Sequence, residues 1–193
     1  MNGLESFVLR KRLAEAGFEP SVFRYRSTHG DIAAAADGLA MQLREFGDVV
    51  HLVGHSLGGL VILEAFERAG ELPPGRIVLL GSPVQGSRAA RAVAAWSLGP
   101  QLLGRMAAQE LTKTASRRWR APRELGVIAG SRSAGMGRLF AELPAPNDGT
   151  ICVDETRIAG AKEHIIHDVS HTGMLMSMAV AQATSRFLVH GHF

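Results

Sequence analysis

The stretch Val49-Val50-His51-Leu52-Val53-Gly54-His55-Ser56-Leu57-Gly58-Gly59-Leu60-Val61-Ile62 constrains this chain more than any other. Val49 to Val53 is a short apolar run that reads as a buried strand, and Leu60 to Ala69 reads as an apolar helix. Between them stands Gly54-His55-Ser56-Leu57-Gly58, a G-x-S-x-G pentapeptide. A serine at so tight a strand-to-helix turn takes a strained backbone conformation. The chain passes close to itself there, so glycine flanks avoid a clash of side chains. The result is an exposed Ser56 hydroxyl above a helix N-terminus. There the Leu57 N–H and the helix dipole favour negative charge. With 22 glycines in 193 residues, the bare pentapeptide is a weak signal. The strand directly before it, the helix directly after it and the extra Gly59 make it specific for a nucleophile elbow. His55 is adjacent in sequence and points elsewhere at a sharp turn, so it reads as a wall or packing residue.

The rest of the chain supplies a sheet for this turn. Leu4 to Ala16 reads as an amphipathic helix with Leu4, Phe7, Val8 and Leu13 on its apolar face, ended by Gly17. Pro20 to Tyr25 alternates and reads as a strand, followed by a Ser27-Thr28-His29-Gly30 loop. Asp31 looks like the N-cap of a helix from Ile32 to Phe46, which Gly47 stops. Beyond the elbow, Arg76 to Leu80 and Leu125 to Ala129 read as buried strands and Lys162 to His167 as the last strand. Ala89 to Ala115 reads as helical, broken near Gly99-Pro100, and Met174 to Val189 as the last helix. Gly130 to Gly149 is a long loop and Thr150 to Val153 a short extended piece. Strands alternating with helices predict an α/β fold, a mostly parallel sheet with helices on both faces. The expected organisation is a single domain over 1–193, with a helical cap within 88–119. In such sheets ligands bind beyond the carboxyl ends of the strands, where Ser56 lies.

Bulk properties narrow the classes of function. Net charge is +3, without a long basic stripe, so no nucleic-acid partner is expected. Arg117-Arg118-Trp119-Arg120 with Arg123 is the one basic cluster and reads as a solvated loop. The single cysteine, Cys152, cannot form an internal disulfide and has no partners at metal-binding spacing, so no metal is expected. No run reaches the ~18 apolar residues of a transmembrane segment. Met1 to Phe18 carries charges where a signal peptide needs its apolar centre, so the chain as written reads as cytoplasmic. No nucleotide-binding glycine loop follows the first strand, and no cofactor is expected. Nothing in the sequence specifies an oligomeric state.

A serine hydroxyl is a poor nucleophile at neutral pH. It needs a base, normally His, and a third group that fixes the His tautomer. Asp148 fits the third role: it lies in Ala145-Pro146-Asn147-Asp148-Gly149-Thr150, beyond the Leu125 strand, where Gly149 lets the turn aim the carboxylate inward. Asp154 is the alternative, among Glu155 and Arg157 on what reads as a solvated surface. His171 fits the base, in the loop between the last strand and the last helix. The other seven of the eight histidines lie in the tail, in strands or before or within the elbow. Asp168 reads as a neighbour that orients the loop.

Together Gly54-His55-Ser56-Leu57-Gly58-Gly59, Gly81-Ser82-Pro83 with Gly86-Ser87, Asn147-Asp148-Gly149-Thr150 and His171 resemble the α/β-hydrolase superfamily. The likeness is greatest to its bacterial lipase/esterase-like branch, and it covers nearly the whole chain. The resemblance implies Ser56 as nucleophile, His171 as general base and acid, Asp148 as its orienter and the Leu57 N–H as one oxyanion donor. It implies a serine hydrolase of carboxylic esters or related acyl compounds, acting on a small-molecule substrate. An acyltransferase or thioesterase would use the same three residues, and a non-catalytic binding or regulatory module is the reading from another class. Trp96, Leu98, Leu102, Leu103 and Met106 would line an acyl pocket if the helical region is a cap; an ordinary core-facing helix is the alternative. The family pattern opens with strands, one ending in a His-Gly loop that gives a second oxyanion donor. Here the first element is the helix that follows that loop, and Met1-Asn2-Gly3 looks like the loop's far end. Nothing before Leu4 is long enough for the strand that sits between the Pro20–Tyr25 and Val49–Val53 strands, so those two either close up or leave an open slot, and the expectation is a natural start upstream of Met1. A longer form could carry a signal peptide, so the cytoplasmic reading depends on that start.

Overall fold

The computed structural model describes residues 4–25, 30–96, 99, 104–114, 116–134 and 143–193. Four parallel strands, β1 (Leu52–His55), β2 (Ile77–Leu80), β3 (Leu125–Gly130) and β4 (Glu163–His167), stand in the order β1-β2-β3-β4. The register pairs His55 with Leu80, Leu80 with Ile128 and Ile128 with Ile165. All four carboxyl ends therefore open on one side of the sheet. The central strands read Ile-Val-Leu-Leu and Leu-Gly-Val-Ile-Ala-Gly and are buried throughout, as a parallel sheet covered on both faces requires.

Alternation along the strands assigns the two faces. Ile77, Leu79, Leu125 and Val127 join one apolar cluster with α2 (Ile32–Phe46) and α3 (Leu57–Arg68). Val78, Leu80 and Ile128 face the other way, toward α1 (Leu4–Glu15) and the two closing helices α6 (Gly173–Met176) and α7 (Met178–His190). In α2 the buried residues Ile32, Ala35, Ala36, Leu39, Ala40 and Leu43 recur at helical spacing. Each fully buried Leu or Ile there contributes roughly 1.5–3 kcal/mol. The helix starts where Asp31 accepts a hydrogen bond from the Ala33 N–H, and it ends at Gly47 with φ 70°. Among the described residues, the short helices α4 (Arg88–Ala94) and α5 (Arg105–Leu111) lie between β2 and β3 in the chain. Met106 of α5 is buried in the α2–α3 cluster.

Several elements differ from the sequence reading. Pro20 to Tyr25 is not a strand: β1 is an edge of the sheet, and no strand of the described residues lies beside it. Without a ladder partner an extended segment gains nothing from strand geometry. Phe23 and Tyr25 instead stack on each other, with centroids 5.9 Å apart, and pack against the α2–α3 cluster. The strand read at Val49 to Val53 lies further on, at Leu52–His55, with Val49 exposed and Val50 bonded to the Pro74 carbonyl. The elbow helix starts at Leu57, not Leu60. Phe7 of α1 is exposed, and Leu9 takes the buried place beside Leu13. Thr150 to Val153 forms only an isolated bridge, Cys152 to Asn147, before a 3-10 turn at Val153–Thr156. The last helix is two, because Ser177 is extended and caps the second through the Val180 N–H.

The basic cluster is not a solvated loop throughout. Arg123 and Trp119 are buried. The Arg123 guanidinium donates to the Val50 carbonyl at 2.9 Å and sits 4.8 Å from the centre of the Phe66 ring. Burial pushes its pKa down to about 10. Met1 to Gly3, Ser27 to His29, Leu98 and Leu102 to Leu103 lie outside the described residues. No helix of the described residues is long and apolar enough to cross a membrane.

Candidate active site

Ser56 stands between the last residue of β1 and the first of α3, with φ 53° and ψ −125°. Among the described residues it is the one non-glycine with positive φ. Such a conformation costs about 1–3 kcal/mol and persists only where the surroundings over-determine it. Here the Ser56 N–H is held by the Leu80 carbonyl at 2.9 Å, and its carbonyl accepts from Gly59 at 3.1 Å. The crossing of strand and helix demands bare backbone. A Cβ on Gly54 would lie 2.7 Å from the Gly59 Cα and 2.8 Å from Ile62 Cδ1. A Cβ on Gly59 would overlap the Ser82 side chain, which itself donates to the Gly54 carbonyl at 3.3 Å. Leu57, as the first residue of α3, presents its N–H at the helix N-terminus beside Ser56.

Asp148 follows β3 and His171 follows β4. The Asp148 carboxylate is 1% exposed, and each oxygen has partners. Oδ1 accepts from the Thr150 and Ile151 N–H groups at 2.9 and 2.7 Å. Oδ2 lies 2.7 Å from His171 Nδ1. A carboxylate accepting at Nδ1 fixes the proton there and leaves Nε2 with a free lone pair. Asn147 builds the turn that aims the carboxylate: its side chain accepts from the Gly149 N–H at 2.9 Å and donates to the Leu143 and Pro144 carbonyls.

Two glycines at the strand ends make room for this pair. A Cβ on Gly81, after β2, would lie 3.1 Å from Asp148 Oδ2 and 3.2 Å from His171 Nδ1. A Cβ on Gly130, at the end of β3, would lie 2.7 Å from the Asp148 Cβ. The acid and base therefore rest on bare backbone at the carboxyl edge.

Of the residues singled out in the sequence, Asp148 and His171 are brought into direct contact, and Ser56 projects from the same edge of the sheet. Among the described residues no hydrogen bond joins the Ser56 hydroxyl to His171. Asp154 lies elsewhere, exposed and paired with Arg88 at 2.8 Å. Asp168 pairs with Arg132 on the surface. His55 is more than a wall: its Nε2 is 3.0 Å from the His171 carbonyl oxygen.

Sequence reasoning also missed Glu155, which is buried. Its carboxylate accepts from the Cys152 N–H at 2.8 Å and the Arg88 N–H at 2.6 Å, tying the Asp148 turn to α4. Cys152 is buried beside it, and burial pushes its thiol up to about 11. Among the described residues no group of three or more His, Cys, Asp or Glu side chains is placed to hold a metal ion.

Comparisons with known proteins agree with this architecture. The sequence matches the model of the Alpha/beta hydrolase family over residues 9–184. A search of the curated proteins found no match. Among solved structures, the mature lipase BlEst2 of Bacillus licheniformis is similar at 21% identity with a TM-score of 0.63, over 86% of this chain and 76% of that one. The esterase of Thermogutta terrifontis is similar at 15% identity with a TM-score of 0.63, over 98% and 86% of the two chains. Phospholipase PlaB of Legionella pneumophila has a TM-score of 0.73 at 14% identity, and the match covers 97% of this chain but 56% of that one. In the propeptide form of BlEst2 the matched part is 41% of that chain. At these identities the likeness establishes the fold. The chain belongs to the alpha/beta hydrolase family.

Proposed function

We propose that this protein is a serine hydrolase of carboxylic esters, with Ser56 as nucleophile, His171 as general base and acid, and Asp148 as the group that orients His171. The observation that carries the reading is the buried Asp148–His171 hydrogen bond, set on the sheet edge from which the strained Ser56 projects. His171 Nε2 takes the Ser56 proton as Oγ attacks the ester carbonyl carbon. The tetrahedral oxyanion is met by the Leu57 N–H and the α3 dipole. Collapse expels the alcohol, which receives the proton from His171, and leaves an acyl-Ser56 ester. Water, deprotonated by His171, attacks that ester and releases the acid. Asp148 accepts from His171 Nδ1 and stabilises the imidazolium that forms between the two transfers.

Structural neighbours that are lipases and esterases support an ester substrate, and no metal or redox group is required by the scheme. The test is covalent labelling with a fluorophosphonate, together with turnover of short p-nitrophenyl esters. The wild-type protein should be labelled at one site. Ser56→Ala should lose labelling and about 10⁶ in kcat, the cost of a lost triad nucleophile. An unlabelled wild-type protein would leave the non-catalytic binding module as the reading. Activity retained within a few-fold in Ser56→Ala would remove Ser56 from the chemistry.

A further inference from the structure

His55 precedes Ser56, and its ring reaches across to the loop that carries His171. Its Nε2 lies 3.0 Å from the His171 carbonyl oxygen. A carbonyl oxygen only accepts, so Nε2 carries the proton and donates. The two imidazole rings pack at a tilt, with centroids 4.7 Å apart. The other nitrogen, Nδ1, is buried with no hydrogen-bond partner among the described residues. A proton on Nδ1 would be buried without an acceptor, which costs roughly 1–3 kcal/mol. Burial, reinforced by the nearby His171, pushes the His55 pKa down to about 3. His55 is thus a neutral ring in a single tautomer, with one N–H to give.

Where that N–H goes follows a gap in the rest of the site. The His171 ring is held by Asp148 Oδ2, and its backbone N–H by the Asp148 carbonyl. Both bonds tie the base to the acid turn. The nucleophile is tied to β2, through the Leu80 carbonyl. Ser56 comes from β1 and His171 follows β4, at the two edges of the sheet. The strands themselves stand three spacings apart, about 14 Å, and it is the loop after β4, reaching back to Gly81 and the His55 ring, that brings His171 toward Ser56. Small changes in the intervening loops would therefore alter the approach of base to nucleophile, and a misplacement of about 1 Å costs about 100-fold in rate.

We propose that His55 is a positioning residue for the reaction: its Nε2–H, bonded to the His171 carbonyl, ties the main chain of the base to the strand that carries the nucleophile. The inference rests on the serine-hydrolase reading above. His55 touches no substrate and transfers no proton. It acts through His171, and the short covalent path from its Cα to Ser56 makes it the direct link between the two.

The test compares wild type with His55→Phe, His55→Met and His55→Gln. Phe keeps an aromatic ring and loses the donor. Met and Gln have similar length, and only Gln offers an N–H, so this pair decides the matter should the Phe variant not fold. The readouts are kcat and KM on p-nitrophenyl butyrate, the rate of fluorophosphonate labelling, and thermal melting. Phe and Met should lose about 10- to 100-fold in both kcat and labelling rate, with KM held within about 2-fold. Gln should stay within about 3-fold of wild type. Equal rates in all four proteins would overturn the proposal. So would a Gln variant as slow as Phe and Met, which would mean that the site needs the ring's shape and not its N–H. A wild-type protein that is not labelled would instead overturn the hydrolase reading, and this proposal with it.

Discussion

His171 and Asp148 are joined twice: the side chains by a 2.7 Å hydrogen bond, and the His171 backbone N–H to the Asp148 carbonyl at 2.9 Å. The two loops therefore form one unit, and the imidazole orientation is inherited from the acid turn. That turn is itself closed by the Thr150 and Ile151 N–H groups on the other carboxylate oxygen.

Asp148→Asn separates these roles. The amide keeps an oxygen for one set of donors and cannot serve as a charged acceptor for His171 Nδ1. The imidazole is then free to adopt the wrong tautomer. The loss in kcat should be about 10⁴-fold, the size seen for this exchange in a serine protease. KM should change little, since no substrate contact is removed. Steady-state kinetics on a short ester checks it, and a loss below about 10-fold would remove Asp148 from the role.

Gly81→Ala should damage both stability and rate. The residue has φ 54°, and an added Cβ would press on Asp148 Oδ2, His171 Nδ1 and Met174 Cε at 3.0 to 3.2 Å. Left-handed strain costs about 1–3 kcal/mol, and the crowding displaces the acid–base pair besides. Gly17→Ala is the control, because its φ is +91° but nothing lies within 4 Å of an added Cβ. It should lower the urea midpoint comparably and leave kcat unchanged. Gly81→Ala should lower the midpoint and cut kcat by at least about 10-fold.

What the sequence made legible was local. Asp31 and Gly47 bounded α2 because capping chemistry is written in single residues. The elbow was readable because Gly54, Ser56 and Gly59 meet within one turn of chain. Asp148 and His171 could be named from their places after later strands, but not their contact, which loops far apart in sequence create. Pro20 to Tyr25 misled because strand propensity does not reveal whether a neighbouring strand exists. His55 reads as a packing residue, and its ring does pack on His171; its hydrogen-bond partner, the backbone of a loop 116 residues on, is a contact that only the fold creates. Glu155 sat among charges that read as surface. Only the fold shows that its carboxylate turns inward.

Glu155→Gln tests how far the acid turn depends on that carboxylate. It is buried, accepts from the Cys152 and Arg88 N–H groups, and lies 3.3 Å from the Arg88 guanidinium. The amide retains one acceptor oxygen and sets an NH₂ against an N–H donor. Leaving a buried donor unpaired costs roughly 1–3 kcal/mol, which urea unfolding should register. Asp154→Asn breaks only an exposed pair with Arg88 and should cost at most about 1 kcal/mol. Equal losses in the two variants would contradict the distinction.

Acid should destabilise this protein before its carboxylates titrate, because three histidines fold neutral. Burial holds His55 down to about 3. Burial, with the guanidinium groups of Arg76 and Arg123, holds His51 below the ordinary value, and burial with Arg157 does the same for His164. Each folded pKa lies below the unfolded value of 6.5. As pH falls through 6.5, the unfolded chain binds protons that the folded chain refuses. Stability is therefore full above that pH and declines toward the folded pKa values, by about 1.4 kcal/mol per pH unit for each proton difference. The carboxylates of Asp37, Asp154, Asp168 and Glu124 are held low by Arg or Lys partners and add their own loss only at lower pH. Urea unfolding at pH 7.5, 6.5, 5.75 and 5 should show the decline in wild type. His55→Gln removes one of the three protons, so its decline from 6.5 to 5 should be smaller by about 1.7 kcal/mol. The same slope in both proteins would mean that His55 charges in the folded state, against its burial and its unpartnered Nδ1.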